Sequence, residues 1–468
     1  MKNTTSHAYS QTRKEPERLY KILDELQVGV TVTSNPYGLE LDHLFRMAAR
    51  INKKRGFLFV SKLLGKHLPV QPSLSLASGA VLGCLYESMI LGRESAAVSV
   101  QLLQEAFQDS EKADALYERL MDNKINVDEP TLFIGFAETA TALGHSMFDA
   151  FKGNVSFLTT TREQIEHLSS LINFEEEHSH AMSHRCYALD PELFRKADRI
   201  VLVDDEITTG NTSLNIIKEL FEQFGHEDYV VASLLDWRSE ADRNRFAKLE
   251  QELGIRIRCL SLIEGSITIE GSPLDEQARL PASVVQDTEV TIRKLDVSRY
   301  FMHLDRPPVA DNKDVSYLSN TGRFGMTAAQ GELLDREIEQ ASKQLVAQRT
   351  GKRVICMGTG EFMYIPMRIA DLMGNEVYYQ STTRSPIHPM QREQYAVSSA
   401  YKYESVDDAS VANYMYNLSP GQYDEAFVFV EREYDEEKGK SFEQALARIG
   451  IPIVNLVFFS KSQSEEGM

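Results

Sequence analysis

Cysteine is scarce in this chain of 468 residues: there are four, Cys84, Cys186, Cys259 and Cys356, all far apart. That spacing argues against a disulfide framework and against close pairs of metal ligands, and it suits a reducing compartment. Basic charge is also in deficit, with 50 Lys and Arg against 69 Asp and Glu and a net charge of −19. Such a surface repels a phosphate backbone, so nucleic acid is not an expected partner. An anionic ligand would need donors placed locally. Long apolar runs are missing too. One of the longest, Ile453 to Phe459, is broken by Asn455 and falls far short of the roughly 20 residues of a membrane span. The opening MKNTTSHAYSQTRKEPERLY has no apolar core, so no secretory signal is expected. With 15 Pro and 26 Gly the chain is neither collagen-like nor disordered in composition. These absences lead to the expectation of a cytoplasmic protein without membrane or nucleic-acid partners.

What is present is ordinary globular material, 42% apolar and 25% charged. At roughly 150 residues per domain, the length suggests two or three units. Residues 1–27 read as a polar tail leading into a short helix. Valines at 28, 30 and 32 alternate as in a strand, Gly56–Val60 is a second strand, and 75–124 is helical in pattern. From Thr131, strands and helices alternate: strands at 131–136, 155–159, 199–203, 229–235 and 255–263, with a helix at 213–224. That alternation predicts a parallel sheet in an α/β domain over residues 28–285. Residues 286–325, with Pro307-Pro308, read as a connecting segment. A second α/β unit is expected over 326–468.

The most informative stretch is Ile200–Thr212, IVLVDDEITTGNT. A buried strand runs into two carboxylates, then a loop of small residues, then a helix. Small residues let backbone N–H groups approach a phosphate, and the helix N-terminus adds partial positive charge. Thr208, Thr209 and Thr212 supply hydroxyls, and Gly210 and Asn211 complete the loop. Asp204 and Asp205 stand where they can accept from vicinal hydroxyls or help hold Mg²⁺. The ends of parallel strands are where open α/β sheets bind ligands. The combination suits a phosphorylated sugar with free hydroxyls.

These residues resemble the 5-phosphoribosyl-1-pyrophosphate (PRPP) motif of the type I phosphoribosyltransferases: four apolar residues, two acids, then small residues with T-T-G-x-T. Glu206 stands where an apolar residue is usual. The resemblance implies a phosphoribosyltransferase-like parallel sheet with a hood, and PRPP and Mg²⁺ as ligands. It places the ribose hydroxyls and metal on Asp204 and Asp205, and the 5-phosphate on Thr208, Thr209, Gly210, Asn211 and Thr212. It places pyrophosphate on the loop Gly135, Phe136, Ala137, Glu138 and Thr139, with Arg162 at the next strand end. On composition alone, Glu138 is expected to be mostly solvated. The family's mobile loop over the site falls on FEEEHSHAMSHRCY (174–187). His178, His180 and His184 there, with Arg185 alongside, can donate to pyrophosphate or shuttle a proton. A nucleobase-like acceptor is implied. Thr208 stands where the 6-oxopurine enzymes carry Asp, which argues against hypoxanthine or guanine, and the histidine-rich loop argues against orotate. Two segments are candidates for the acceptor hood: Asp236-Trp237-Arg238, whose Trp can stack on a planar ring, and 55–70 with Lys62, Lys66 and His67.

Residues 358–387 echo 135–165: each reads as loop, helix, strand, then Thr-Thr-Arg. The pattern suggests a duplicated, degenerate phosphoribosyltransferase-like domain without the T-T-G-x-T loop. Gly358, Gly360, Arg384 and Ser385 are its candidate anion site. A phosphoribosyltransferase unit followed by Thr383-Arg384-Ser385-Pro386 resembles the bacterial proteins whose C-terminal unit is called the TRSP domain. That resemblance implies a setting in tellurite-resistance and stress gene clusters and a nucleoside-like product. Three rival readings stay open: a non-catalytic PRPP or nucleotide sensor, pyrophosphorolysis run in reverse, and an assembly role for the second unit. A homo-oligomer is a further expectation.

Overall fold

The computed structural model describes residues 16–24, 26–50, 56–165, 168–175, 183–271, 289–304 and 316–461. Strands β1 (Arg18–Lys21) and β2 (Gln27–Ser34) lead through a single turn, α1 (Leu41–Leu44), into the pair β3 (Phe45–Ala49) and β4 (Phe57–Ser61). Helices α2 (Pro72–Met89), α3 (Val100–Ala106) and α4 (Ser110–Asp122) follow. Then come β5 (Ile125–Gly135), α5 (Thr141–Asp149), β6 (Phe151–Thr159) and the hairpin β7 (Ile172–Glu175) and β8 (Ser183–Cys186). A turn, α6 (Glu192–Arg195), leads to β9 (Arg199–Ile207), α7 (Asn211–Phe224), β10 (Asp228–Asp236), α8 (Glu240–Leu253) and β11 (Arg256–Glu270).

The second half opens with β12 (Thr291–Asp296), β13 (Met326–Thr327) and α9 (Ala328–Gln348). It continues with β14 (Val354–Gly358), α10 (Tyr364–Leu372), β15 (Val377–Ser381) and the hairpin β16 (Ala400–Glu404) and β17 (Ala412–Tyr416). It ends with β18 (Glu425–Val430), α11 (Glu436–Ile449) and β19 (Ile453–Phe458).

The first sheet has the order β1-β2-β11-β10-β9-β5-β6-β13. Its five central strands are parallel, and β1, β2 and β13 run antiparallel to their neighbours. The second sheet, β12-β19-β18-β14-β15, is parallel throughout. The fold is therefore α/β with two parallel-rich sheets. Each sheet reverses its strand order once, between β5 and β9 in the first and between β14 and β18 in the second. Such switch points open a crevice at the carboxyl ends of the strands.

The strands form because their apolar residues are shielded on both faces: Ile200 to Val203 of β9 and Phe427 to Phe429 of β18 are wholly buried. Helix α2 is buried nearly all round and packs on α4 and α5. The two units share an interface in which α10 lies on α2 and α5. There Asp149 accepts from Tyr364 Oη (2.9 Å), Arg368 (3.0 Å) and Lys124 (2.8 Å), and the His145 ring stacks on Tyr364.

Three expectations about organisation change. Residues 18–21 form the edge strand β1 and neither a tail nor a helix. The supposed connection at 286–325 contains β12, the edge of the second sheet. Met326 and Thr327, expected in the second unit, pair with β6 of the first.

Candidate functional site

Strand β9 carries Asp204 and Asp205 out of the core at its carboxyl end, where both are half-buried. Gly210, at φ +73°, then turns the chain into α7. A Cβ at this position would also come within 2.5 Å of the Phe246 ring, so both backbone and packing call for glycine. Helix α7 has no side-chain N-cap, which leaves its first-turn N–H groups pointing toward the loop. The loop is braced from α8, where Arg245 donates to the Thr209 carbonyl at 2.9 Å and pairs with Asp242 at 2.6 Å.

Beside this loop lies the turn after β5. Gly135 pairs with Val203, and the Phe136 N–H donates to the Val203 carbonyl at 3.0 Å. Gly135, Phe136, Ala137, Glu138 and Thr139 therefore stand directly next to Asp204 across the switch point. The Ala137 N–H donates to Thr160 Oγ1 at 2.8 Å, tying the turn to the Thr-Thr-Arg that ends β6. The Ala137–Glu138 peptide is cis.

Glu138, expected in solvent, is 4% exposed. It forms an ion pair with Lys66, itself 2% exposed, and another with Arg162 at 3.1 Å. Burial pushes the Glu138 carboxyl up, but Lys66 and Arg162 outweigh it and hold it at about 2. Burial pulls the Lys66 ammonium below its ordinary value, against the opposing pull of Glu138. Lys66 is fixed from outside the first sheet: Val70 exchanges two backbone hydrogen bonds with Tyr379 of β15, and Ser381 donates to the Gly65 carbonyl. Of Lys62, Lys66 and His67, Lys66 is the one that reaches this loop. Lys62 donates to the Asp42 carbonyl, and His67 is buried, where desolvation drops its imidazole to about 3.

The second unit repeats the hydrogen bonds of the turn and of the Thr-Thr-Arg strand end, though not the ion pairs. Ala137 donates to Thr160 Oγ1, and Gly360 donates to Thr382 Oγ1 at 3.0 Å. Thr160 N–H donates to the Gly135 carbonyl, and Thr382 N–H to that of Gly358. Thr161 exchanges two bonds with Arg185 of β8, and Thr383 exchanges two with Tyr414 of β17. Glu163 N–H reaches Thr161 Oγ1 and Ser385 N–H reaches Thr383 Oγ1, each at 3.1 Å. The glutamates repeat as well, since Glu361 follows Gly358 as Glu138 follows Gly135. Glu361 crosses to the first unit, accepting from Thr161 Oγ1 at 2.6 Å and from the Arg162 N–H at 2.8 Å. Sequence reasoning assigned Glu361 nothing; its equal offset from the loop glycine was the available signal.

Other expected residues stand elsewhere. Trp237 is 2% exposed, stacked on Phe59 (5.2 Å) and edge-on to Phe45, so its ring fastens the β3–β4 hood to the sheet. Asp236 and Arg238 are buried and pair with each other at 2.7 Å. Trp237 supports the hood from inside the core, while Arg238 lies over Phe246 of α8, and none of the three offers an open stacking face. His184 is buried, stacked on Phe174 and 3.1 Å from Thr160 Oγ1. His178 and His180 lie outside the described residues. Among the described residues, no group of three His, Cys, Asp or Glu side chains is placed to hold a metal. Asp204 and Asp205 alone suit an ion whose remaining ligands come from phosphate and water.

The four cysteines are free. No helix among the described residues is long and apolar enough to cross a membrane.

Residues 44–266 match the family described as phosphoribosyl transferase. Residues 320–446 match the domain described as the TRSP domain C-terminal to it. No curated protein sequence matches the chain. Among solved structures, adenine phosphoribosyl transferase from Trypanosoma brucei is 20% identical, with a TM-score of 0.23, over 34% of this chain and 66% of that one. The enzyme from Giardia lamblia, complexed with 9-deazaadenine, is 18% identical, with a TM-score of 0.23, over 35% and 84%. That from Leishmania donovani is 16% identical, with a TM-score of 0.22, over 33% and 66%. The chain thus spans just under two thirds of the trypanosomal and leishmanial enzymes, and likenesses this low decide nothing about substrate. The two adjoining family matches, in that order, identify the chain as a member of the phosphoribosyl transferase family that carries a C-terminal TRSP domain.

Proposed function

We propose that the switch point of the first sheet binds PRPP and transfers its phosphoribosyl group to a nucleobase-like acceptor, releasing pyrophosphate. The observation that supports this most is the adjacency of Asp204–Thr212 and Gly135–Thr139 across β9 and β5. Thr208, Thr209, Gly210, Asn211 and Thr212 take the 5-phosphate at the start of α7. Asp204 and Asp205 take the ribose hydroxyls. Asp204 and Asp205 would hold Mg²⁺, which would supply neutralisation of phosphate charge. Arg162 faces the leaving pyrophosphate, and substitution at the anomeric carbon passes through an oxocarbenium-like state, so positioning and leaving-group stabilisation dominate. In this reading His178 and His180 lie in the loop that closes on the site, and Asp236, Trp237 and Arg238 set the hood that receives the acceptor. The product is a nucleoside-like metabolite of a tellurite or stress response in the cytoplasm.

Glu138 favours one rival. It neutralises part of the charge of Lys66 and Arg162 just where pyrophosphate would sit, as suits a protein that binds PRPP or a nucleotide without turning it over. Pyrophosphate release from PRPP and Mg²⁺ across a panel of nucleobases separates the two. Release with at least one base supports transfer, and saturable PRPP binding with no release from any base supports the sensor.

A further inference from the structure

A cleft of about 680 Å³ opens at the carboxyl ends of β14 and β18, the switch point of the second sheet. We infer that this cleft is a second binding site, distinct from the PRPP site, for the phosphate or diphosphate group of a small ligand.

Four observations carry it. First, the cleft is lined by Thr359, Gly360 and Arg384, the same turn and Thr-Thr-Arg strand end whose counterparts in the first unit flank Asp204. Second, the arginine of that strand end is held by no direct bond among the described residues, and its charge is felt at Glu138 and Asp408. The Arg384 guanidinium, half-buried in the cleft wall, makes no hydrogen bond or ion pair with any described residue, whereas Arg162 is tied to Glu138. Third, four of the carboxylates lining the cleft are held by other residues, and a fifth, Asp408, accepts from Ser410. Glu361 is bonded to Thr161 and Arg162, Glu431 pairs twice with Arg323 at 2.7 and 2.8 Å, and Asp407 and Glu163 share Arg432 at 2.9 Å each. Fourth, Asn413 lines the cleft at 5% exposure, and its Oδ1 is sealed from solvent without a hydrogen-bond partner. A buried amide left unmade is costly, and a ligand hydroxyl or N–H would satisfy it.

The same residues exclude a second PRPP. The small-residue loop is replaced by Glu431-Arg432-Glu433-Tyr434-Asp435, and α11 begins with Glu436 and Glu437. Acids at that helix start repel a 5-phosphate. By register Gly358 pairs with Phe429 as Gly135 pairs with Val203, so Val430 and Glu431 stand where Asp204 and Asp205 do. One is apolar and the other is locked on Arg323, which leaves the ribose hydroxyls without acceptors. The cleft keeps the diphosphate half of the ancestral site and loses the sugar half. Tyr403 and Phe442, both buried and packed on each other, lie beneath it. Arg162 also borders the cleft, so the two sites share one guanidinium.

The full-length protein can be titrated calorimetrically with inorganic diphosphate, AMP and PRPP–Mg²⁺ in turn. The expected result is diphosphate or AMP binding that Arg384→Ala weakens on the order of tenfold or more, the scale of one charge-assisted hydrogen bond. PRPP–Mg²⁺ affinity should be unchanged in that variant. No hydrogen bond or ion pair among the described residues runs through the Arg384 side chain, so its removal should leave the fold intact, which an unchanged melting temperature checks. Asn413→Asp, nearly isosteric, sets a carboxylate in the cleft and should weaken the same binding. Whether diphosphate or AMP responds tells a free anion from a nucleotide. Binding of both probes unaffected by Arg384→Ala and Asn413→Asp overturns the inference. A failure of PRPP–Mg²⁺ to bind, with the Arg384-dependent binding intact, would overturn the first reading and leave this one standing.

Discussion

Three charged side chains, Lys66, Glu138 and Arg162, meet out of water between the two units. Opposite charges attract strongly there, but each was stripped of its hydration, so the pair matters most when half of it is removed. Lys66→Met should cost about 3–5 kcal/mol in denaturant unfolding, because it leaves the buried Glu138 short of a partner. Lys66→Met combined with Glu138→Gln should recover most of that loss. The pH dependence follows from the same carboxyl. Its folded value, about 2, lies below the ordinary 4.5. The folded state therefore binds fewer protons than the unfolded one between these values. The stabilisation is complete above pH 4.5 and is lost as the pH falls toward 2. Urea unfolding from pH 6 to pH 2 should show this loss in the wild type and a flatter limb in the double variant.

At the scale of elements, the start of α7 is the sensitive point. Gly210→Ala asks an L-residue to adopt φ +73°, at about 1–2 kcal/mol, and drives its Cβ into Phe246. PRPP affinity should fall at least tenfold, on the order of the 1.4 kcal/mol per decade that relates energy to binding, while the melting temperature moves only a few degrees. A matched loss in an unrelated surface glycine such as Gly421 would assign the effect to general strain. The element scale also shows what was legible in the sequence. Buried parallel strands announce themselves as apolar runs, so Ile200–Val203 and Ala426–Val430 were readable, and the motif between β9 and α7 was readable from residue types alone. Edge elements were not. β12, Thr-Ile-Arg-Lys-Leu-Asp, is mostly exposed along its length, and β1 is a polar four-residue strand. Neither carries a period that separates strand from loop. The hairpins β7–β8 and β16–β17 were missed because their strands are only four or five residues long and pair outside both sheets. Trp237 was misread as an acceptor platform because sequence shows an aromatic ring but not Phe59 lying against it.

At the scale of the whole molecule, two sheets with the same switch point face each other through their loops and through α5 and α10. Lys66 reaches the Gly360 carbonyl, and Glu361 accepts from Thr161 and Arg162, so contacts of the first crevice cross into the second unit. The interface should make the halves melt together. Removing Arg368, which binds Asp149 and Asp335 at 3.0 and 2.8 Å, should lower stability by about 3 kcal/mol and split the calorimetric transition. A single, unshifted transition in Arg368→Ala would mean that the units are coupled elsewhere. The resemblance of residues 358–387 to 135–165 was visible in the sequence as a spacing. Its depth was not, because the matched hydrogen bonds run through backbone and threonine hydroxyls that no spacing reveals.

The most direct test of the central claim is a calorimetric titration of the full-length protein with PRPP, with and without Mg²⁺, repeated on the Asp204→Asn, Asp205→Asn double variant. The expected result is saturable, Mg²⁺-dependent binding in the wild type that falls by about 10²-fold or more in the variant, the scale set by removing preorganised charge from such a site, with the melting temperature unchanged. Binding that survives in the double variant, or no binding to the wild type, would contradict the assignment of the β9–α7 loop as the PRPP site.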